Sequence, residues 1–330
     1  MQSPKRPPRA AHPHVKNNHM PRISPVTNRP GAQKAPFRPD VIETYVPQQD
    51  TTLLAFLIES MPGRRRTTVK ELLKYNQVAV NGMPVTQHDT PLTPDDTVKV
   101  NLTREFKVFH HRRVKLVYED ADLLVIEKGY GLLSMGNDKV SDGTAYTIMR
   151  DWVKWENPRN KLFIVHRLDR DTSGLMMMAK NENAKEAMQH NWNNMVISRK
   201  YVCVVEGYVE KDEGEIRSYL AENSKHEVYS AKNPDEGKLA VTRYKVVKRG
   251  LGHTMVEVSL ETGRKNQIRV HMKELGHPIA GDRRYGAKAS IIHRLALHAQ
   301  TLRFVHPVTR RDMNFDTPVP GSFWKLVGGK

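Results

Sequence analysis

From about residue 114 to residue 326 the chain alternates short β-branched or aromatic runs with amphipathic stretches, and this alternation constrains its fold most. Leu116-Val117-Tyr118 and Leu123-Leu124-Val125-Ile126 flank an Asp120-Ala121-Asp122 turn, so they read as neighbouring strands. Leu175 to Ala179, Tyr201 to Val205, Ala240 to Val247 and Met255 to Leu260 read as further strands. Thr144 to Glu156 places Ile148, Trp152 and Trp155 along one side of a helix, and Ala184, Ala187, Met188, Trp192 and Met195 mark a second helix. The elements do not follow a regular βαβ repeat, and no Gly-rich phosphate loop is present. The pattern predicts an α+β domain on a mainly antiparallel mixed sheet and disfavours nucleotide-cofactor folds.

Upstream the character changes. Residues 1–48 hold half of the chain's 20 prolines, scattered cations and no apolar periodicity. Such a segment cannot bury enough surface to offset its conformational entropy, so a disordered basic tail is expected. Its charge suits either solubility or non-specific RNA affinity. Residues 49–101 predict a small α/β module. Leu53, Leu54, Leu57 and Ile58 recur at helical spacing up to Met61-Pro62-Gly63, and Val69, Leu72 and Leu73 mark a second helix with Thr67 or Thr68 as N-cap. A strand then ends in the Asn81-Gly82 turn, and Asp95 to Val100 closes the unit. Arg64, Arg65 and Arg66 sit where the second helix begins, the end at which cations oppose the helix dipole. Phosphate binding is a reason for that placement. Residues 102–114 read as a basic linker whose adjacent His110 and His111 are expected to be solvated, not metal-bound.

A formal net charge of +17, from 53 Lys and Arg against 36 Asp and Glu, calls for a polyanionic partner, nucleic acid before membrane. Cys203 is the one cysteine, which excludes an intrachain disulfide and a cysteine-based zinc site and fits a reducing compartment. There is no run of about 18 apolar residues, and the N-terminal residues lack the apolar core of a secretory signal, so a cytoplasmic protein without membrane insertion is expected.

Three separated segments carry candidate chemistry. His166-Arg167-Leu168-Asp169-Arg170-Asp171-Thr172-Ser173-Gly174 follows the apolar run Leu162 to Val165 and sets a carboxylate between arginines. Nearby cations lower a carboxyl pKa, so Asp169 is expected to stay ionised and to suit nucleophilic or electrostatic work. A surface ion-pair cluster at a strand end has the same appearance. The second segment is Ser198-Arg199-Lys200-Tyr201 leading into a strand. The third is Glu261 to His271, a turn running into a short helix, where Arg269 follows Lys265 by four residues.

Together these segments resemble the RluA-type pseudouridine synthases, which isomerise uridine in structured RNA. The resemblance spans most of residues 115–320. Beyond the three segments it rests on Leu123 to Lys128, Gly276 to Asp282 with Tyr285-Gly286, and Arg294 to Ala299. It implies that Asp169 is the nucleophile, that Tyr201 packs on the uracil and moves a proton, and that Arg269 pairs with the nucleophilic carboxylate. Arg167 would enter the RNA where the base has flipped out, because the reacting atoms are inaccessible within a helix. His166, Lys265 and Asn266 are further candidate RNA contacts. Lys128-Gly129-Tyr130-Gly131 and Lys265-Asn266 depart from the family's usual Lys-Pro-Ala-Gly and Thr-His. No cofactor or metal is implied, and a monomer is expected. Arg64 to Thr68 and Val78 to Gly82 resemble the small RNA-binding module of ribosomal protein S-four. Large-subunit ribosomal RNA is the first expected substrate and transfer RNA the second. An inactive RNA-binding assembly factor is the alternative from another class.

Overall fold

The structure is a computed structural model describing residues 40–106, 108–136, 141–288 and 292–328. Residues 1–39 of the expected tail lie outside the described residues. Residues 40–48 depart from that expectation, because β1 (Ile42–Tyr45) joins a sheet. Four residues flanked by Pro39 and Pro47 carry little periodicity of their own, so this strand is specified by its partner. Tyr45 also sets its ring edge-on to Phe56 at 6.5 Å.

The remainder of this unit is β2 (Thr51–Thr52), α1 (Leu53–Ser60), α2 (Arg66–Lys74), β3 (Val78–Val80), β4 (Met83–Pro84), β5 (Pro91–Leu92) and β6 (Val98–Asn101). A sheet of order β1-β6-β3-β4 backs the two helices. Leu53, Leu57, Val69, Val78, Val98 and Val100 form a fully buried core, each side chain stabilising by roughly 1.5–3 kcal/mol. Asn81 and Gly82 both take positive φ, +50° and +80°, as a two-residue hairpin turn requires. The N-cap of α2 is Arg65, with no side-chain cap bond, so Thr67 and Thr68 fall inside the helix and do not cap it. The linker is anchored: Arg104 pairs with Asp40 at 2.7 Å and stacks on Trp155, while Phe109 meets Trp152 edge-on at 5.3 Å. His111 Nδ1 accepts the Arg113 amide at 3.1 Å.

The larger unit runs β7 (Val114–Glu119), β8 (Leu123–Lys128), α3 (Ala145–Glu156), β9 (Phe163–Ile164), β10 (Ser173–Ala179), α4 (Glu182–His190), α5 (Trp192–Met195), β11 (Val196–Glu206), β12 (Glu213–Glu222), β13 (Val228–Ser230), β14 (Lys238–Arg249), β15 (His253–Leu260), α6 (Gln267–Glu274), β16 (Leu297–Val305), β17 (Asp312–Asp316) and α7 (Gly321–Leu326). Its mixed sheet has the order β13-β12-β14-β15-β11-β16-β10-β8-β7, with β17 on β16 and β9 on β10. The β10–β16 pair is parallel and the other strand pairs are antiparallel. The stretch read as one helix through Met195 divides at Asn191, whose amide and side chain both bond to Ala187 O.

The middle of this sheet is covered on both faces. Leu124, Ile126, Met176 and Met178 pack with Met149 and Val153 of α3. Leu123, Val125, Leu175 and Met177 pack with Ala184 and Met188 of α4. Period-two alternation along β8 and β10 therefore feeds two cores, which is why these strands read as continuous apolar runs. Among the described residues no helix is long and apolar enough to cross a membrane.

Candidate active site

A lateral row of backbone partners explains how the three distant segments meet. Gly174 of β10 lies opposite Ala299 of β16, Ala299 opposite Tyr201 of β11, and Tyr201 opposite Val258 of β15. The turn entering β10, the Tyr201 side chain and the turn leaving β15 thus gather around one cavity of about 670 Å³. Asp169, Tyr201, Arg269, Arg167, His166, Lys265 and Asn266 all line it. Arg64, Arg65 and Arg66 belong to the small N-terminal unit and do not line this cavity.

The segment before β10 is pinned from below. Ser134 Oγ donates to Leu168 O at 2.6 Å and accepts the Leu168 amide at 3.1 Å. The Thr172 amide closes a turn onto Asp169 O at 3.2 Å. Lys128 is wholly buried, and its Nζ donates to Gly129 O, Leu132 O and Arg170 O at 3.1, 2.8 and 3.2 Å. Three carbonyls match the three N–H groups of an ammonium, although burial pushes the Lys128 pKa down to about 7. Gly174, at φ +115°, lies directly against Ala299 of strand β16. A β-carbon there would lie 2.1 Å from Ala299 O.

The electrostatics of Asp169 differ from the sequence expectation. Burial pushes its carboxyl above the ordinary carboxylate range, against the opposing pull of Arg269, Arg167, Lys128 and Lys265. Its neighbour Arg170 is exposed and pairs with Asp171 at 3.2 Å. The charge alternation visible in the sequence carried no information on desolvation, which decides the sign.

A β-bulge in the β11–β16 register falls between Lys200 and Tyr201. Bulges re-aim side chains, and this one sits at the residue whose ring enters the cavity. Burial raises the Tyr201 hydroxyl pKa, with Arg199 lowering it and Asp169 raising it further. Arg199 itself stacks over the Trp192 ring at 5.3 Å on the cavity wall.

Arg269 does not hydrogen-bond to Asp169, contrary to the pairing that the resemblance implies. Its Nε and Nη2 donate to Asp282 at 2.7 and 2.8 Å, and its Nη1 donates to Asn266 at 2.9 Å. Its charge nevertheless remains the foremost influence holding the Asp169 carboxyl down. Lys265 lies outside α6, so its helical spacing to Arg269 is lost, and it pairs with Glu222 at 2.5 Å. Asn266 occupies the N-cap position in left-handed backbone at φ +55° and is buried, with its side chain on Arg269 and Tyr285. His166 is likewise spent internally. Its Nε2 accepts the Met177 amide at 3.0 Å, its ring lies 5.2 Å from Trp192, and burial pushes its pKa down to about 3. Those two side chains serve the scaffold, whereas Arg167 is exposed at the cavity edge.

Three contributors were missed from the sequence. Gln267 accepts from Thr262 Oγ1 and the Arg264 amide and donates to Val241 O and Thr242 Oγ1, so it shapes the whole loop after β15. Arg199 had a signal in its place two residues before Tyr201, on the strand that carries the ring. Asp282 stood in the Gly281-Asp282 turn with no local hint of its partner. At the unusual Gly129-Tyr130 step, the Tyr130 ring stacks on the Arg294 guanidinium at 4.5 Å. A β-carbon on Gly129 would meet Arg113 O at 3.0 Å.

Residues 122–274 match the family described as RNA pseudouridylate synthase. The protein of Bacillus subtilis (strain 168) named "Uncharacterized RNA pseudouridine synthase YlyB" is 34% identical over 287 residues, covering 85% of this chain and 94% of its own. The "Ribosomal large subunit pseudouridine synthase D" of Vibrio vulnificus (strain CMCP6) is 33% identical over 279 residues, covering 79% and 85%. Two solved structures share the fold. "Human RNA Pseudouridylate Synthase Domain Containing 4" matches with a TM-score of 0.54 at 22% identity, over 64% of this chain and 92% of its own. "Human RNA Pseudouridylate Synthase Domain Containing 1" matches at 0.51 and 24%, over 65% and 87%.

Proposed function

The chain belongs to the RNA pseudouridine synthases, and on that premise we propose that Asp169 is the nucleophile acting on a flipped uridine. The observation that carries this reading is the convergence of Asp169, Tyr201 and Arg269 on one cavity, of a volume suited to a nucleotide. A carboxylate in a site poor in water is less stabilised by hydration and more reactive once ionised, and the surrounding cations keep that ionisation accessible. Two routes use it. In one, Asp169 attacks C1′ and expels uracil through N1. The base turns, C5 displaces the carboxylate, and the C5 proton is lost as N1 gains one. In the other, the carboxylate takes the C2′ proton, uracil leaves to give a glycal, C5 adds at C1′ as C2′ is reprotonated, and the C5 proton is lost as N1 gains one.

Tyr201 supplies the ring against which the uracil packs and a hydroxyl for the proton transfer. Arg269 offsets the charge developing on the departing base, and Arg167 occupies the gap that base flipping leaves in the RNA. The module of residues 49–101 acts as an S-four-like RNA grip through Arg64, Arg65 and Arg66 at the start of α2, and the enzyme works as a monomer. Large-subunit ribosomal RNA is the substrate of this reading, supported by the name of the Vibrio vulnificus relative and by the net charge of +17. Pseudouridine mapping in RNA from cells with and without the protein tests it. A large-subunit site that vanishes in the deletion and returns on complementation supports the assignment. A missing site confined to transfer RNA would replace it.

A further inference from the structure

We propose that Asp282 and Asn266 are positioning residues that clamp the Arg269 guanidinium and reserve two of its N–H groups for the reaction centre. The inference rests on the reading of Asp169 as nucleophile. A guanidinium carries five N–H groups in one plane. Asp282 takes two of them in a bidentate pair, at 2.7 Å from Nε and 2.8 Å from Nη2, and Asn266 Oδ1 takes a third at 2.9 Å from Nη1. One N–H on each terminal nitrogen is left. The clamp is itself fixed. Asn266 Nδ2 donates to Tyr285 Oη at 3.2 Å, and the Tyr285 ring lies 4.8 Å from the guanidinium carbon. Asn266 reaches both partners from a left-handed backbone that asparagine tolerates better than most residues.

The Asp282 side chain is 1% exposed and that of Arg269 13%. Burying a pair of charges is costly, and an apolar pair of the same volume serves stability as well. An ion pair at the wall of a reaction cavity is explained by what it does to Arg269. It orients the planar fork, and it attenuates the positive charge that Asp169 feels. The first effect belongs to both residues and the second to Asp282 alone. The groups bearing on Asp169 are Arg269, Arg167, Lys128 and Lys265, with Tyr201 across the cavity, and those bearing on Arg269 are Asp282, Asp169 and Tyr285.

The test uses the full-length protein in excess over total RNA from cells lacking it. Pseudouridine formation in a single turnover is followed against enzyme concentration and pH. Asp282→Asn loses about 10- to 100-fold in rate at saturating enzyme through misorientation, with half-saturation within about twofold of wild type. Its acid limb moves to lower pH, because a negative charge near Asp169 is gone and the Arg269 charge is no longer neutralised. Asp282→Glu restores the limb by restoring the charge. Asn266→Gly keeps the left-handed backbone and removes the oxygen, so it loses about tenfold in rate with the limb unmoved. Wild-type rates in either variant, an unmoved limb in Asp282→Asn, or a loss confined to half-saturation overturns the proposal. Should Asp282→Asn fail to fold, a wild-type rate in Asn266→Gly overturns it alone. Turnover by Asp169→Asn would instead refute the nucleophile assignment beneath it.

Discussion

Gly174→Ala is the sharpest structural perturbation that the fold offers beside the site. Gly174 takes φ +115°, outside the conformations open to most residues with a β-carbon, and occupying such a region costs roughly 1–3 kcal/mol. The added methyl would also lie 2.1 Å from Ala299 O, 2.6 Å from its N and 2.7 Å from its C. These are backbone atoms of the neighbouring strand β16, so no flexible side chain can yield. Overpacking of this kind costs roughly a further 1–3 kcal/mol. The sum centres on about 4 kcal/mol, and at about 2–4 °C per kcal/mol for a unit of this size the melting temperature should fall by roughly 8–16 °C. Calorimetry of the full-length variant measures this, with pseudouridine formation at low temperature alongside. Because Gly174 also pairs with Lys128 of β8, parting the strands should loosen the Asp169 turn and lower activity even below the melting point. A fall under about 3 °C with normal activity would refute the argument.

Two further outcomes follow from the charges. His166, His271 and His298 are pushed down to about 3, 4 and 4 by burial, each with a ring nitrogen already committed to a hydrogen bond. Their folded pKa values lie below the ordinary 6.5, so the unfolded chain binds protons first. Their stabilisation is complete above pH 6.5 and is lost as pH falls toward 4, at about 1.4 kcal/mol per pH unit for each histidine. Urea unfolding should show a shallower acid loss in His298→Gln than in wild type, and equal slopes would contradict the assignment. The triple replacement of Arg64, Arg65 and Arg66 by alanine should weaken RNA binding and lower the salt slope of binding by about 2, with thermal stability held. An unchanged slope in a filter-binding titration would remove the arginines from the RNA interface.

What the sequence made legible was what neighbours along the chain decide. The Asn81-Gly82 hairpin turn, the apolar runs of β8 and β10, and the Asp169 turn feeding β10 all follow from local residue types and appear where expected. Tyr201 and Arg269 were identifiable by resemblance, and they do line one cavity with Asp169. What stayed hidden depends on partners far away in sequence or on burial. Strand β1 exists because β6 offers it hydrogen bonds. The partner of Arg269 is Asp282, brought beside it only after the chain has rounded the end of α6. Asp169 is pushed up by desolvation although the sequence shows it among arginines, and His166 and Asn266 spend their polar atoms on Met177, Arg269 and Tyr285.

The proposed reaction turns on the Asp169 carboxylate as nucleophile. Asp169→Asn keeps the size of the side chain and removes the charge, so the fold should survive. The deciding measurement is pseudouridine formed on total RNA from cells lacking the protein, by wild type and by Asp169→Asn at matched RNA occupancy. Wild type should form product and the variant none above background. Product from Asp169→Asn at the wild-type rate would contradict it.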